Sequence, residues 1–188
     1  MTSELSKVIE AYADLERLVR DAISSLYGEV CALCTSSCCT PDICEESLDS
    51  AFLRALRESC ESKPLFCDRY GWLTERGCGL QIGRPPVCYS FFCDEIRNAL
   101  DDRERIIIAV LGRSLAWVGE RAVGPVHLVE ITDDASLSDV NVGRVLKRIS
   151  IAHDALKGVR EVLCNEPVSS SESRLAMQRI LRSVELDA

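Results

Sequence analysis

Eleven cysteines in 188 residues, four of them within Cys31-Ala-Leu-Cys34-Thr-Ser-Ser-Cys38-Cys39, restrict what this chain can fold around more than anything else in it. So many thiols end either in disulfides or on metal, and the compartment decides which. The start, Met1-Thr-Ser-Glu-Leu-Ser-Lys7, lacks a basic segment, an apolar run and a small-residue cleavage site, so the expected setting is the reducing cytoplasm. An odd cysteine count in that setting favours metal binding over a disulfide framework.

The length suits one substantial core, and residues 1–188 are expected to form a single domain. With 47% hydrophobic and 28% charged residues the composition is that of a globular protein. No apolar run approaches the roughly 20 residues that span a bilayer, so no membrane partner is expected. A net charge of −8 argues against nucleic acid, which needs clustered Lys and Arg. Residues 1–60 hold five Lys/Arg against eleven Asp/Glu, which predicts an acidic, solvated outer face for the first helix.

Leu5, Val8, Tyr12, Leu15, Val19, Ala22 and Leu26 alternate in steps of three and four, a stripe that predicts a helix from about Ser3 to Gly28, released there by the glycine. The stripe suits a bundle helix; a protein partner or a homodimer through residues 5–26 is the other use of such a pattern. A second helix is expected from Asp42 or Glu45 to Ser59, then an irregular stretch to Val87 punctuated by Gly and Pro, then helix from Tyr89 to Leu100. Arg105 to Val123 reads as the central, most buried helix, Val126–Ile131 as an extended connector, and a region from Ser136–Asp139 to Leu163 as a long amphipathic helix. A flexible linker near 168–173 precedes a last helix, Arg174 to Leu186. The fold class is therefore all-α: a bundle of five or six helices carrying an irregular cysteine-rich metal-binding lobe over 28–95, with a helical part over 96–188.

Within the lobe, Cys31 and Cys34 have the C-x-x-C spacing that folds the backbone around one ion and aims N–H groups at the sulfurs. Cys38 and Cys39 are adjacent, so they point in different directions, and one can complete this site while the other reaches elsewhere. Cys67, Cys78, Cys88 and Cys93 provide a second set over Gly/Pro-rich chain. Four and four match two tetrahedral thiolate centres or two iron–sulfur clusters; Cys44, Cys60 and Cys164 are left over.

The run Cys31-x-x-Cys34-x-x-x-Cys38-Cys39, then Cys67-Asp-Arg-Tyr-Gly-Trp-Leu, Gly77-Cys78-Gly-Leu-Gln-Ile and Arg84-Pro-Pro-Val-Cys88-Tyr-Ser-Phe91, resembles the YkgJ-type cysteine-cluster proteins, described as zinc- or iron-chelating domains. The resemblance covers about residues 28–95. It implies Cys31, Cys34, Cys38, Cys39, Cys67, Cys78 and Cys88 as metal ligands; Cys93 is added by the count of ligands alone. Here the step from Cys34 to Cys38 is one residue longer than the family's, and Thr35 stands where Gly is usual, so Cys38 and Cys39 are interchangeable as ligands. A similar cluster occurs in a flagellin lysine methylase, where an iron–sulfur centre is implied.

Around these ligands, Arg84-Pro85 is expected to form a rigid turn with Arg84 on carbonyls, rather than an anion site. Asp68, Arg69 and Tyr70 are either outer partners of the sulfurs or plain surface. Tyr89, Phe91 and Phe92 are expected to cover the lobe, and Cys164 to be a buried spare thiol. His127 and His153 are not needed as ligands, since cysteines fill the tetrahedral count. No nucleophile, phosphate-loop or H-E-x-x-H motif is present, and the sequence nominates no catalytic residue. Three functions follow: a zinc or iron chelator, an iron–sulfur redox or catalytic protein, or a helical adaptor with a purely structural metal lobe.

Overall fold

The structure is a computed structural model that describes residues 3–33, 40–59, 64–74, 77–164 and 166–183, and for 27–33, 95 and 99 the backbone alone. Over these residues it is mostly helical, with eight α-helices and one two-stranded antiparallel ribbon. Helix α1 (Ser3–Leu33) is the longest. Its stripe residues Leu5, Val8, Tyr12, Leu15 and Val19 are all buried, in one core with α6 (Asp102–Gly119) and α7 (Val142–Leu163). Each such side chain contributes roughly 1.5–3 kcal/mol on burial, so this stripe is spent inside the molecule. Helix α8 (Ser171–Arg182) closes over α6 and α7. With α1, α7, α8 and the short α4 all packed on it, α6 is the central helix that its apolar sequence predicts.

The helix starts follow from local chemistry. Asp101 and Glu104 form a capping box on α6, and the Asn141 side chain accepts the Arg144 amide at the start of α7. Ser170 caps α8 by accepting the Glu172 and Ser173 amides, so that helix begins three residues before Arg174. Ser171–Ser173, read from sequence as linker, is its first turn, and Ser173 is buried. Helix α6 stops at Gly119, short of Val123, because side chains from outside claim its last carbonyls: the Arg148 guanidinium bonds those of Trp117 and Glu120, and the His127 ring bonds that of Ala116. The Val126–Ile131 connector is a short 3-10 turn over Leu128–Glu130 rather than extended chain.

Three further boundaries differ from expectation. Helix α1 continues past Gly28 to Leu33, since a glycine costs a helix only about 1 kcal/mol and good helix formers surround it. The second helix is two, α2 (Pro41–Asp49) and α3 (Ala51–Glu58). They break at buried Ser50, whose hydroxyl accepts the Leu53 amide at 3.2 Å, while the Ala51 amide leaves the helix to donate to the Ile131 carbonyl at 2.7 Å. The helix expected over Tyr89–Leu100 is also two, α4 (Val87–Ser90) and α5 (Asp94–Ala99), with Cys93 in the extended N-cap position between them. The ribbon, β1 (Leu73–Thr74) and β2 (Gly77–Cys78), pairs Leu73 with Cys78.

Candidate functional site

The cysteine-rich region has a small core of its own around Trp72. Cys44, Trp72 and Leu80 are buried together, and Leu48, Phe66 and half-buried Cys78 pack against them. The Trp72 indole N–H donates to the Ser47 hydroxyl at 2.7 Å, which donates to the Cys44 carbonyl at 2.6 Å. Phe66 meets the indole edge-on at 5.1 Å, and the Arg57 guanidinium lies 5.4 Å from the ring centroid while bonding the Ser47 carbonyl. Cys67 forms an isolated bridge with Gly71. Gly71 has φ +60°, and the Cys44 sulfur and Cβ lie so close to it that no side chain fits there, with the Pro41 backbone in ordinary contact beside them. Pro41 is two residues after Cys39, so the segment leaving the Cys31–Cys39 run packs on the bridge that holds Cys67.

A buried carboxylate ties this region to the bundle. Glu16 of α1 is fully buried and accepts three hydrogen bonds: from the Gly83 amide at 2.8 Å, the Arg84 amide at 2.9 Å and the Tyr89 hydroxyl at 2.7 Å. Burial pushes its carboxyl above the ordinary glutamate value, with the three donors and the Arg84 charge opposing. Burial, and then the Glu16 charge, raise the Tyr89 phenol well above its ordinary value. The Arg84 side chain folds back to donate twice to the Leu80 carbonyl, at 2.8 and 2.6 Å, which is the turn expected of Arg84-Pro85. Burial works against its charge, but Tyr89, Cys78, Glu16 and Cys88 nearby outweigh that and hold the guanidinium protonated. Gly83, with φ +78°, lets the loop turn against the Leu53 carbonyl and the Arg57 side chain.

Of the eight nominated ligands, Cys67 lies in the bridge to Gly71, Cys78 on β2 and Cys88 in α4. Cys67 and Cys88 are exposed and Cys78 half-buried. Cys93 stands apart, half-buried against Ile96 and Leu100 with Phe92 and Leu26. Cys31 is in the last turn of α1, and Cys34, Cys38 and Cys39 lie outside the described residues, as does Cys60. Cys44, Cys67, Cys78, Cys93 and Cys164 are free thiols. Among the described residues, no three Cys, His, Asp or Glu side chains form a group that could hold a metal ion. The described donors are of the chemistry that binds zinc or iron but make no complete cage by themselves.

The residues around the cysteines sort plainly. Asp68, Arg69 and Tyr70 are surface, with the Arg69 guanidinium over the Tyr70 ring. Tyr89 is buried as expected, whereas Phe91 is 53% exposed. Cys164 is exposed at the end of α7, not buried. Both ring nitrogens of His127 are engaged by backbone, the Ala116 carbonyl and the Val129 amide. Sequence reasoning missed Glu16 and Cys44. The first belongs to the apolar stripe, four residues after Tyr12 and three before Val19, so its burial was readable from spacing. Compared with known proteins, the chain matches no protein-family model, no curated protein and no solved structure.

Proposed function

We propose that this is a metal-binding protein of the cysteine-cluster type, which chelates zinc or iron through thiolates drawn from Cys31, Cys34, Cys38, Cys39, Cys67, Cys78 and Cys88. The observation that supports it most is the packing of Pro41 and Cys44 on the Cys67–Gly71 bridge. It joins the segment that follows the 31–39 thiols to the loop that carries the later ones. The likeness of the motif pieces to the YkgJ-type proteins supports the same reading. Cys44, left over by that pattern, stands in the same small core as Cys78 and is a further thiol within the lobe. Zinc would cross-link the lobe, and iron or an iron–sulfur cluster would add redox chemistry.

The chain's own part is to hold the loop fixed. Glu16 pins Gly83, Arg84 and Tyr89, so Cys78 and Cys88 flank a braced turn rather than a free one. Metal titration of reduced, chelator-stripped protein tests the reading, with zinc and with anaerobic ferrous iron. Saturation at one or more ions per chain is expected, weakened more than about tenfold in Cys78→Ser/Cys88→Ser and unchanged in Cys164→Ser. No saturable binding, or equal affinity in all three proteins, contradicts it.

A further inference from the structure

Beside the ribbon, Arg20, Cys78, Gly79, Leu80, Gln81 and Arg84 line an open hollow of about 210 Å³. That is below the roughly 300–1,000 Å³ of sites for drug-sized ligands, and it suits a group the size of a phosphate or a short carboxylate. Two guanidiniums and a thiol wall it, and both guanidiniums are held in place. The Arg20 Nη1 donates to the Gln81 carbonyl at 2.8 Å, and Arg84 donates its Nε and Nη2 to the Leu80 carbonyl. Of the five donors each guanidinium carries, Arg20 spends three on the described residues, counting two to Asp21, and Arg84 spends two. Among the described residues the acids nearest this charge are Asp21 and Glu16. Asp21 is 65% exposed, and an ion pair so placed is weak. The Glu16 carboxyl is buried and already takes three donors.

We propose that this hollow binds a small oxyanion, a phosphate or carboxylate group, across Arg20 and Arg84 beside the Cys78 thiol. Fixed guanidiniums with unspent N–H donors match such an anion in both charge and geometry, and little side-chain freedom is lost on binding. The site goes beyond the metal reading and stands without it, since neither arginine needs a metal to be charged.

Calorimetric titration of the reduced full chain with inorganic phosphate, and separately with succinate, tests it at an ionic strength kept constant with sodium chloride. Saturable binding of one anion per chain is expected, and the tighter of the two identifies the kind of oxyanion. Amide shifts in nuclear magnetic resonance should concentrate at Gly79, Leu80 and Gln81. Arg20→Gln, at a partly buried position of α1, should weaken binding about tenfold in a protein that keeps its helical circular-dichroism spectrum. No saturable binding of either anion, shifts spread evenly over the chain, or wild-type affinity in Arg20→Gln would overturn the proposal. Metal content, measured on the same samples, reports separately on the metal reading.

Discussion

Replacing Glu16 with alanine would leave the Gly83 and Arg84 amides and the Tyr89 hydroxyl without their acceptor in the interior. Losing one partner of a buried, charged network costs about 3–5 kcal/mol, so Glu16→Ala is expected to lower unfolding stability by that order in denaturant melts. Glu16→Gln, which keeps an acceptor oxygen, should lose less. The same residue gives a pH dependence. Its carboxyl is held above the ordinary value of 4.5 in the folded chain, so the folded state binds this proton more tightly than the unfolded state. Its contribution therefore falls as pH rises from 4.5 through the folded value, and the stability difference between wild type and Glu16→Gln should shift against wild type over that window. A difference that runs the other way counts against a buried carboxyl with a raised pKa. That Glu16 lies inside was legible in the spacing Tyr12, Glu16, Val19. Its partners, 67 to 73 residues away, were not, because a sequence carries no register between a helix and a loop.

At the scale of elements, the long helices α1, α6 and α7 were legible because their apolar residues recur over several turns. The breaks at Ser50 and at 91–93 were not, since each depends on a tertiary contact: the Ala51 amide turns to Ile131, and Tyr89 turns to Glu16. Ser50→Ala removes the α3 cap and should cost about 1 kcal/mol, seen as faster amide exchange confined to the start of α3. Under the metal proposal, chelation should speed exchange across 64–90 and leave α6 and α7 protected, because no cysteine is among the described residues of the bundle core. Equal exchange in both regions, with and without chelator, would count against a metal that supports the lobe. The loosening should be partial, since Trp72, Leu80 and Cys44 form an apolar centre that needs no metal.

Over the whole molecule, a helical core and a cysteine-bearing lobe meet along one side of α1, where the buried Glu16 carboxyl and Arg20 tie them together. No helix among the described residues is long and apolar enough to cross a membrane. The mostly helical class was readable from periodicity, and the supply of thiols from composition. How the thiols group was not readable, because their placement is fixed by chain paths that pass through Gly71, Gly83 and Pro41. The most direct test of the account is metal analysis, with an ultraviolet–visible spectrum, of the full chain purified anaerobically. The account predicts zinc or iron at one or more ions per chain, with sulfur-to-iron absorption if the metal is iron. Substoichiometric metal, in a protein whose 64–90 segment is as protected as α6, would contradict it.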